Sequence, residues 1–207
     1  MKRALILDLD NTIYPVSSVA DDMFDELFKM IDEGMDDQSA ADAAKAELTR
    51  RPFQYVADEH GFSPELKDKG MAFLSNLTYS RPMQPYNEYD ILRNINIDKY
   101  LVTTGFTKLQ MSKVNMLQIE PHFKQVFVVD PCLVDKTKKD IFAQIMQING
   151  YDVNEVLVIG DDPESEIKAA TELGIDTFLF DPENKYPHAN VTYRGKDYSE
   201  VVEIVER

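Results

Sequence analysis

The chain has one cysteine, no tryptophan and three histidines among 207 residues. A lone Cys132 forms no internal disulfide, which fits a reducing compartment. With no base placed beside it in the sequence, it reads as a reactive thiol at most and supports no alternative catalytic centre. His60, His122 and His188 are scattered, without the spacing of metal ligands. No apolar run approaches the roughly 20 residues that a membrane-spanning helix needs. Met1-Lys2-Arg3 leads into a short apolar run ending at Asp8, without the long apolar region and cleavage site of a secretory leader. The expectation is a cytoplasmic protein. Basic residues are also scarce: 22 Lys and Arg stand against 37 Asp and Glu, a net charge of -15. Without a basic field, binding to nucleic acid polymers or anionic membranes is disfavoured. A small phosphorylated metabolite remains open as partner, because a metal ion and one lysine reverse the potential locally. The length suits one large domain, or a core with a smaller insert; a monomer and a homodimer are both compatible with the sequence.

What the chain does have is two acidic clusters placed where apolar runs end. Ala4-Leu5-Ile6-Leu7 runs into Asp8-Leu9-Asp10-Asn11-Thr12, and Val156-Leu157-Val158-Ile159-Gly160 runs into Asp161-Asp162. Such short, branched, non-alternating runs are those of strands covered on both faces. In a parallel sheet, ligand chemistry gathers at the carboxyl ends of strands, where these acids fall. From Tyr100 onward, strand candidates at 101–103, 125–129, 156–159 and 177–180 alternate with helical patterns at 108–117, 138–147 and 163–173. With the first strand they predict a five-stranded, mostly parallel, Rossmann-like α/β sheet, closed by a tail helix over 198–205.

Between the first strand and this region the pattern is helical. Met23, Phe24, Leu27, Phe28 and Ile31 recur at helical spacing, with Ser17 or Ser18 as cap and Gly34 as stop. Further helices are expected over 39–48, 52–59 and 64–77, with a short one through Tyr89 and Ile91 leading back to the sheet. The chain therefore divides into an α/β core, 1–15 and 91–207, and a helical insertion, 16–90.

Asp8 and Asp10 are two residues apart, so in an extended strand they share a face. Two carboxylates about 4 Å apart repel by about 4 kcal/mol at an effective dielectric near 20. Asp161 and Asp162 worsen the imbalance, and a hard cation relieves it. Mg2+ fits, since it takes oxygen ligands and is commonly held by one or two carboxylates together with substrate phosphate. Asp8 then reads as a nucleophile, Asp161 as a metal ligand, and Asp10 as an acid that becomes a base. For any one acidic pair, a solvated loop end is the plainer reading; the combination argues against it.

Four stretches in order carry a family resemblance: Asp8-Leu9-Asp10-Asn11-Thr12, Leu101-Val102-Thr103-Thr104-Gly105, Asp135 to Phe142, and Gly160-Asp161-Asp162-Pro163-Glu164-Ser165-Glu166. The chain resembles the phosphatases of the haloacid dehalogenase superfamily. That resemblance implies an aspartyl-phosphate on Asp8 and an acid/base at Asp10, whose backbone carbonyl also joins the metal. Thr103 would hold a phosphoryl oxygen, and Thr104 stands where many relatives carry Asn. Lys136, chosen over Lys138 by its spacing to Ile141-Phe142, would hold the substrate phosphate and offset Asp8. Asp161 would bind the metal, with Asp162 and Glu166 competing for the second acidic position. The insertion resembles a helical type 1 cap.

A narrower resemblance, in Asp10 to Pro15 and Thr104 to Gln110, is to pyrimidine 5'-nucleotidases, and implies nucleoside monophosphates as substrates. Asn11, Thr12, Tyr14, Thr104, Gly105 and Phe106, which flank the motifs, are the candidate substrate contacts. The rival readings are a phosphotransferase or phosphosugar mutase using the same intermediate, and a non-enzymatic phosphoacceptor signalling domain. The latter is usually shorter and lacks such an insertion.

Overall fold

A computed structural model of the chain describes residues 1–207. Its strands are β1 (Ala4–Leu7), β2 (Asp98–Thr104), β3 (Gln125–Val129), β4 (Val156–Gly160), β5 (Asp176–Phe180) and β6 (Tyr193–Gly195). They form one sheet in the order β3-β2-β1-β4-β5-β6 with every pair parallel. β1 lies between β2 and β4, with Leu7 opposite Leu101 on one side and Ile159 on the other. The chain builds outward from β1 through β2 and β3, then restarts on its other flank at β4. This makes the carboxyl end of β1 the switch point where an open α/β sheet leaves a crevice.

Alternation sorts the strand residues between two cores. Leu5, Leu7, Leu101, Leu157 and Ile159 belong to one buried cluster, and Ala4, Ile6, Tyr100, Val102, Val156 and Val158 to the other. A one-residue slip would exchange the two sets, so the register is held by both faces at once. The sixth strand was not expected. It is three residues long, with Thr177 and Thr192 exchanging backbone N–H to side-chain oxygen bonds of 3.1 and 3.0 Å beside it. So short and polar a segment carries no strand periodicity of its own.

The insertion after β1 holds α1 (Ala20–Met23), α2 (Asp25–Gly34), α3 (Gln38–Leu48), α4 (Phe53–Glu59) and α5 (Pro64–Asn76), and α6 (Tyr89–Asn94) returns the chain to β2. The single helix expected up to Gly34 is broken at Phe24, and neither serine caps it: the Ser18 hydroxyl donates to the Pro15 carbonyl at 2.6 Å. Asp37 caps α3, accepting from the N–H groups of Ser39 and Ala40, and Ser63 caps α5 by accepting from Leu66. Leu27, Ile31, Ala41, Ala44, Val56, Leu66 and Leu74 are buried in the same cluster as Leu5 and Leu7. The helical insertion is thus welded to one sheet face as a cap-like region.

That face is also covered by α7 (Thr107–Leu117) and α10 (Ser199–Glu206), and the opposite face by α8 (Lys138–Asn149) and α9 (Lys168–Thr171). Where one helix was expected over 163–173, the chain makes a single wide turn, Pro163–Ile167, before α9. Ser165 there leaves helical geometry at φ -106° and ψ -105°. The turn folds Glu166 back beneath Gly160, where a side chain on that glycine would overlap the glutamate.

Candidate active site

Three strand ends supply the site. The Asp8 N–H donates to the Ile159 carbonyl at 3.0 Å, prolonging the β1–β4 pairing by one residue and aiming the Asp8 side chain out of the sheet. Asn11, at φ +56°, reverses the chain after Asp10, a conformation that Asn tolerates better than most residues. Its amide donates to the Thr49 carbonyl at 3.2 Å and its side-chain oxygen accepts from the Val16 N–H at 3.1 Å. Asn11 therefore ties the nucleophile loop to the insertion. A cavity of about 920 Å³ opens between the two. Asp8, Asp10, Thr103 and Lys138 line it from the core, and Phe24, Arg50, Phe53 and Tyr55 from the insertion.

The lysine at Asp8 is Lys138, and this corrects the expectation for Lys136. Lys138 Nζ donates to Asp8 Oδ1 at 2.6 Å and to Glu166 Oε2 at 2.7 Å, with the lysine only 8% exposed. Lys136 is exposed and donates to Gln144 Oε1 at 2.9 Å. The cause is local: Thr137 and Asp140 close a capping box, so Lys138 is the first helical residue and Lys136 stays outside the helix. Burial pushes the Asp8 carboxyl up to about 7, with Glu166 and Asp10 adding to the rise and Lys138 opposing it. Burial pulls the Lys138 ammonium down, but Asp8 and Glu166 outweigh it and hold it above the usual lysine range.

The acids after β4 divide into different tasks. Asp161 is held well above the usual carboxylate range by burial, then by Glu166 and Asp8, and its Oδ1 accepts from the Thr12 hydroxyl at 3.4 Å. Asp162 is raised by burial and accepts from the Glu164 N–H at 2.9 Å, capping the wide turn. Both oxygens of Glu166 are engaged, Oε2 by Lys138 and Oε1 by the Asp162 N–H at 2.9 Å. Glu166 braces Lys138 and lines the cavity with both of its oxygens already bonded. No three acidic, histidine or cysteine side chains converge in a cage of their own. The strand-end carboxylates that line the cavity and are candidates for a cation are Asp8, Asp161 and Asp162. Desolvated oxygen donors with more negative charge than Lys138 offsets fit Mg2+, which leaves its other positions to water and substrate.

The Asp10 carboxylate lines the same cavity as Asp8 and Asp161 but takes its hydrogen bonds from other side chains. Oδ1 accepts from the Tyr14 hydroxyl at 2.5 Å, Oδ2 from Gln110 Nε2 at 3.0 Å, and both from Lys113 Nζ at 2.9 and 3.1 Å. Burial would raise this carboxyl, but Lys113 and the three donors outweigh it and hold it below the usual range. Gln110 Nε2 also donates to the Thr103 hydroxyl oxygen at 2.6 Å, at the end of β2. Neither Gln110 nor Lys113 was anticipated. Their signal lies in α7, whose buried face reads Leu109, Gln110, Lys113, Val114 and Leu117, two polar residues in an apolar stripe.

Of the expected substrate contacts, Asn11, Thr104, Gly105 and Phe106 line the cavity. Thr12 and Tyr14 are fully buried behind it, bonded to Asp161 and Asp10, and are corrected to supporting positions. A further unanticipated residue, Asp130, accepts from Thr107 N–H at 2.8 Å, the Thr107 hydroxyl at 2.9 Å and Cys132 N–H at 3.0 Å. It fastens the loop after β2 to the one leading into α8 and Lys138.

A protein-family profile described as haloacid dehalogenase-like hydrolase matches residues 2–174. The chain belongs to that family. It is 27% identical over 121 residues to the pyrimidine 5'-nucleotidase PynA of Streptococcus pneumoniae, a match covering 57% of this chain and 51% of that protein. The matched stretch thus spans about half of that relative's length. Over 193 residues it is 24% identical to the glyceraldehyde 3-phosphate phosphatase of Methanopyrus kandleri, covering 86% of this chain and 83% of that one. The HAD-hydrolase YfnB of Bacillus subtilis, solved bound to magnesium, superposes with a TM-score of 0.70 at 21% identity, over 100% of this chain and 99% of that one. At such identity the superposition shows the shared fold alone. No helix of this member of the family is long and apolar enough to cross a membrane.

Proposed function

We propose that this chain is a magnesium-dependent phosphomonoester hydrolase with Asp8 as its nucleophile, the insertion from 16 to 90 serving as the cap over its substrate. The observation that carries the reading is Lys138, buried between Asp8 and Glu166 and lining the same cavity as Thr103. A desolvated ammonium there, beside a nucleophile and a hydroxyl donor, is built for a dianionic phosphoryl group.

In this reading an Asp8 oxygen attacks phosphorus as the ester oxygen leaves, and Asp10 protonates the leaving oxygen. Lys138 and Thr103 hold the other phosphoryl oxygens. Asp10 then removes a proton from the water that opens the aspartyl-phosphate, releasing phosphate and restoring Asp8. Asp10 is anionic in its pair with Lys113. An incoming phosphate dianion favours its protonated form by like-charge repulsion. Magnesium, held by the Asp8 and Asp161 carboxylates and the Asp10 carbonyl, would supply neutralisation of the charge gathered on the phosphoryl group.

Metal binding has a pH signature. The folded state raises the Asp8 carboxyl from 3.8 to about 7. In metal-free protein its stabilising contribution is therefore complete below about pH 4 and is lost as pH rises through 7. A cation displaces that proton, so added Mg2+ should raise the melting temperature more at pH 8 than at pH 5. Equal increments at the two pH values, or none, would remove Asp8 from the metal site.

Nucleoside monophosphates are the substrate class we favour. The partial likeness to PynA supports them, and the cavity has the size of a small-molecule pocket with Phe24, Phe53, Tyr55 and Phe106 in its walls. The test is phosphate release, with Mg2+, from a panel of pyrimidine and purine nucleoside monophosphates, sugar phosphates and 4-nitrophenyl phosphate. Turnover fastest on pyrimidine nucleotides is expected. Phosphate release from sugar phosphates alone would reject the nucleotide assignment, and transfer to an acceptor hydroxyl without free phosphate would reject hydrolysis.

A further inference from the structure

We propose that Lys113 and Gln110 are positioning residues for Asp10, aiming its carboxyl at the oxygen of the departing alcohol; the inference rests on the hydrolase reading above. Both project from α7 into the sheet-facing core, where Lys113 is 3% and Gln110 2% exposed. A desolvated ammonium is costly unless it is paired, and the only carboxylate within reach of Lys113 is Asp10. Its Nζ touches both Asp10 oxygens, which fixes the plane of the carboxyl as well as its direction. Gln110 contributes the second constraint. One amide nitrogen bonds Asp10 Oδ2 and the Thr103 hydroxyl oxygen, so the acid/base and the phosphate-holding threonine are set by the same group. Gly105, at φ +146°, leaves the room this amide occupies: a Cβ there would come within 3.2 Å of Gln110. Neither side chain bonds Asp8 or Asp161; Lys113 acts through Asp10 alone, and Gln110 through Asp10 and Thr103.

A residue that merely fastens α7 to the β1 loop would affect every ester alike, whereas a residue that aims Asp10 matters in proportion to how much the leaving oxygen needs a proton. 4-Nitrophenolate departs unprotonated; an alkoxide does not. The experiment compares kcat/KM, which reports the step through loss of the leaving group, for the fastest alkyl phosphate of the panel and for 4-nitrophenyl phosphate. Lys113→Met keeps the aliphatic stem and removes the charge. We expect it to lower kcat/KM for the alkyl ester about 100-fold, and for the aryl ester by less than about fivefold, as loss of general acid catalysis does. Asp10→Asn should show the same selectivity, Lys113→Arg should restore part of the alkyl activity, and KM should change little. Gln110→Leu removes no charge and should show a weaker loss in the same sense, which keeps the test available if Lys113→Met does not fold. Equal losses on both esters for Lys113→Met and Gln110→Leu, with Asp10→Asn still selective, would overturn the inference and leave the hydrolase reading standing. Absence of magnesium-dependent phosphate release from wild-type protein on either ester would overturn both.

Discussion

Asp8→Asn is expected to abolish phosphate release, with a fall of roughly four to six orders of magnitude, the scale seen when a covalent nucleophile is removed. The substitution alters little volume and keeps a polar group on Lys138, so the fold should persist. Stability carries a second signature. Burial and the neighbouring acids Glu166 and Asp10 disfavour charge on Asp8, so asparagine should leave the metal-free melting temperature at pH 8 unchanged or higher. A nucleophile held under electrostatic stress shows this combination, lost activity with retained or increased stability. Near-normal turnover in the variant would dismiss Asp8 as nucleophile.

The second large effect separates two lysines that stand two residues apart. Lys138→Ala removes the one ammonium bonded to Asp8 and Glu166, leaving two buried carboxylates unpaired. Breaking a buried pair in this way costs about 3 kcal/mol or more, and kcat/KM should fall by about 10³-fold, the range for removing a charged group aimed at developing charge. Lys136→Ala removes an exposed bond to Gln144 and should change stability by less than about 0.5 kcal/mol. Kinetics on the best ester of the panel, with thermal melts on the same preparations, decide between them. A larger loss at Lys136 would reinstate the placement drawn from its spacing to Ile141-Phe142.

The sheet was legible because its strands are unmixed. Ala4 to Leu7 and Val156 to Gly160 are buried on both faces, and such runs admit few alternatives. The placement of Asp8 and Asp161 at strand ends facing one cavity was legible for the same reason, as they are the first acids after those strands. Lys138 was missed although its signal was present: Thr137 and Asp140, three apart, form a capping box that starts the helix at Lys138. Spacing to a later apolar pair outweighed that local cue. The role of Glu166 was not legible, because it depends on Ser165 leaving helical geometry, which no propensity announces. Asp10 was assigned a task from its place in the motif. Its partners Gln110 and Lys113 lie about a hundred residues away in sequence, joined to it only by the packing of α7 on the sheet. Tyr14 looked like a pocket residue because it follows the motif; the reversal at Asn11 instead brings its hydroxyl back onto Asp10.

The central claim is a covalent one, that phosphate passes through Asp8. Wild-type protein turning over its best ester with Mg2+ can be quenched in acid, which preserves an acyl phosphate, and the digested peptides weighed. We expect one phosphoryl group on the peptide that contains Asp8, absent in Asp8→Asn and absent without ester. A phosphoryl group recovered on another residue, or undiminished phosphate release by a protein whose Asp8 is never labelled, would contradict the account.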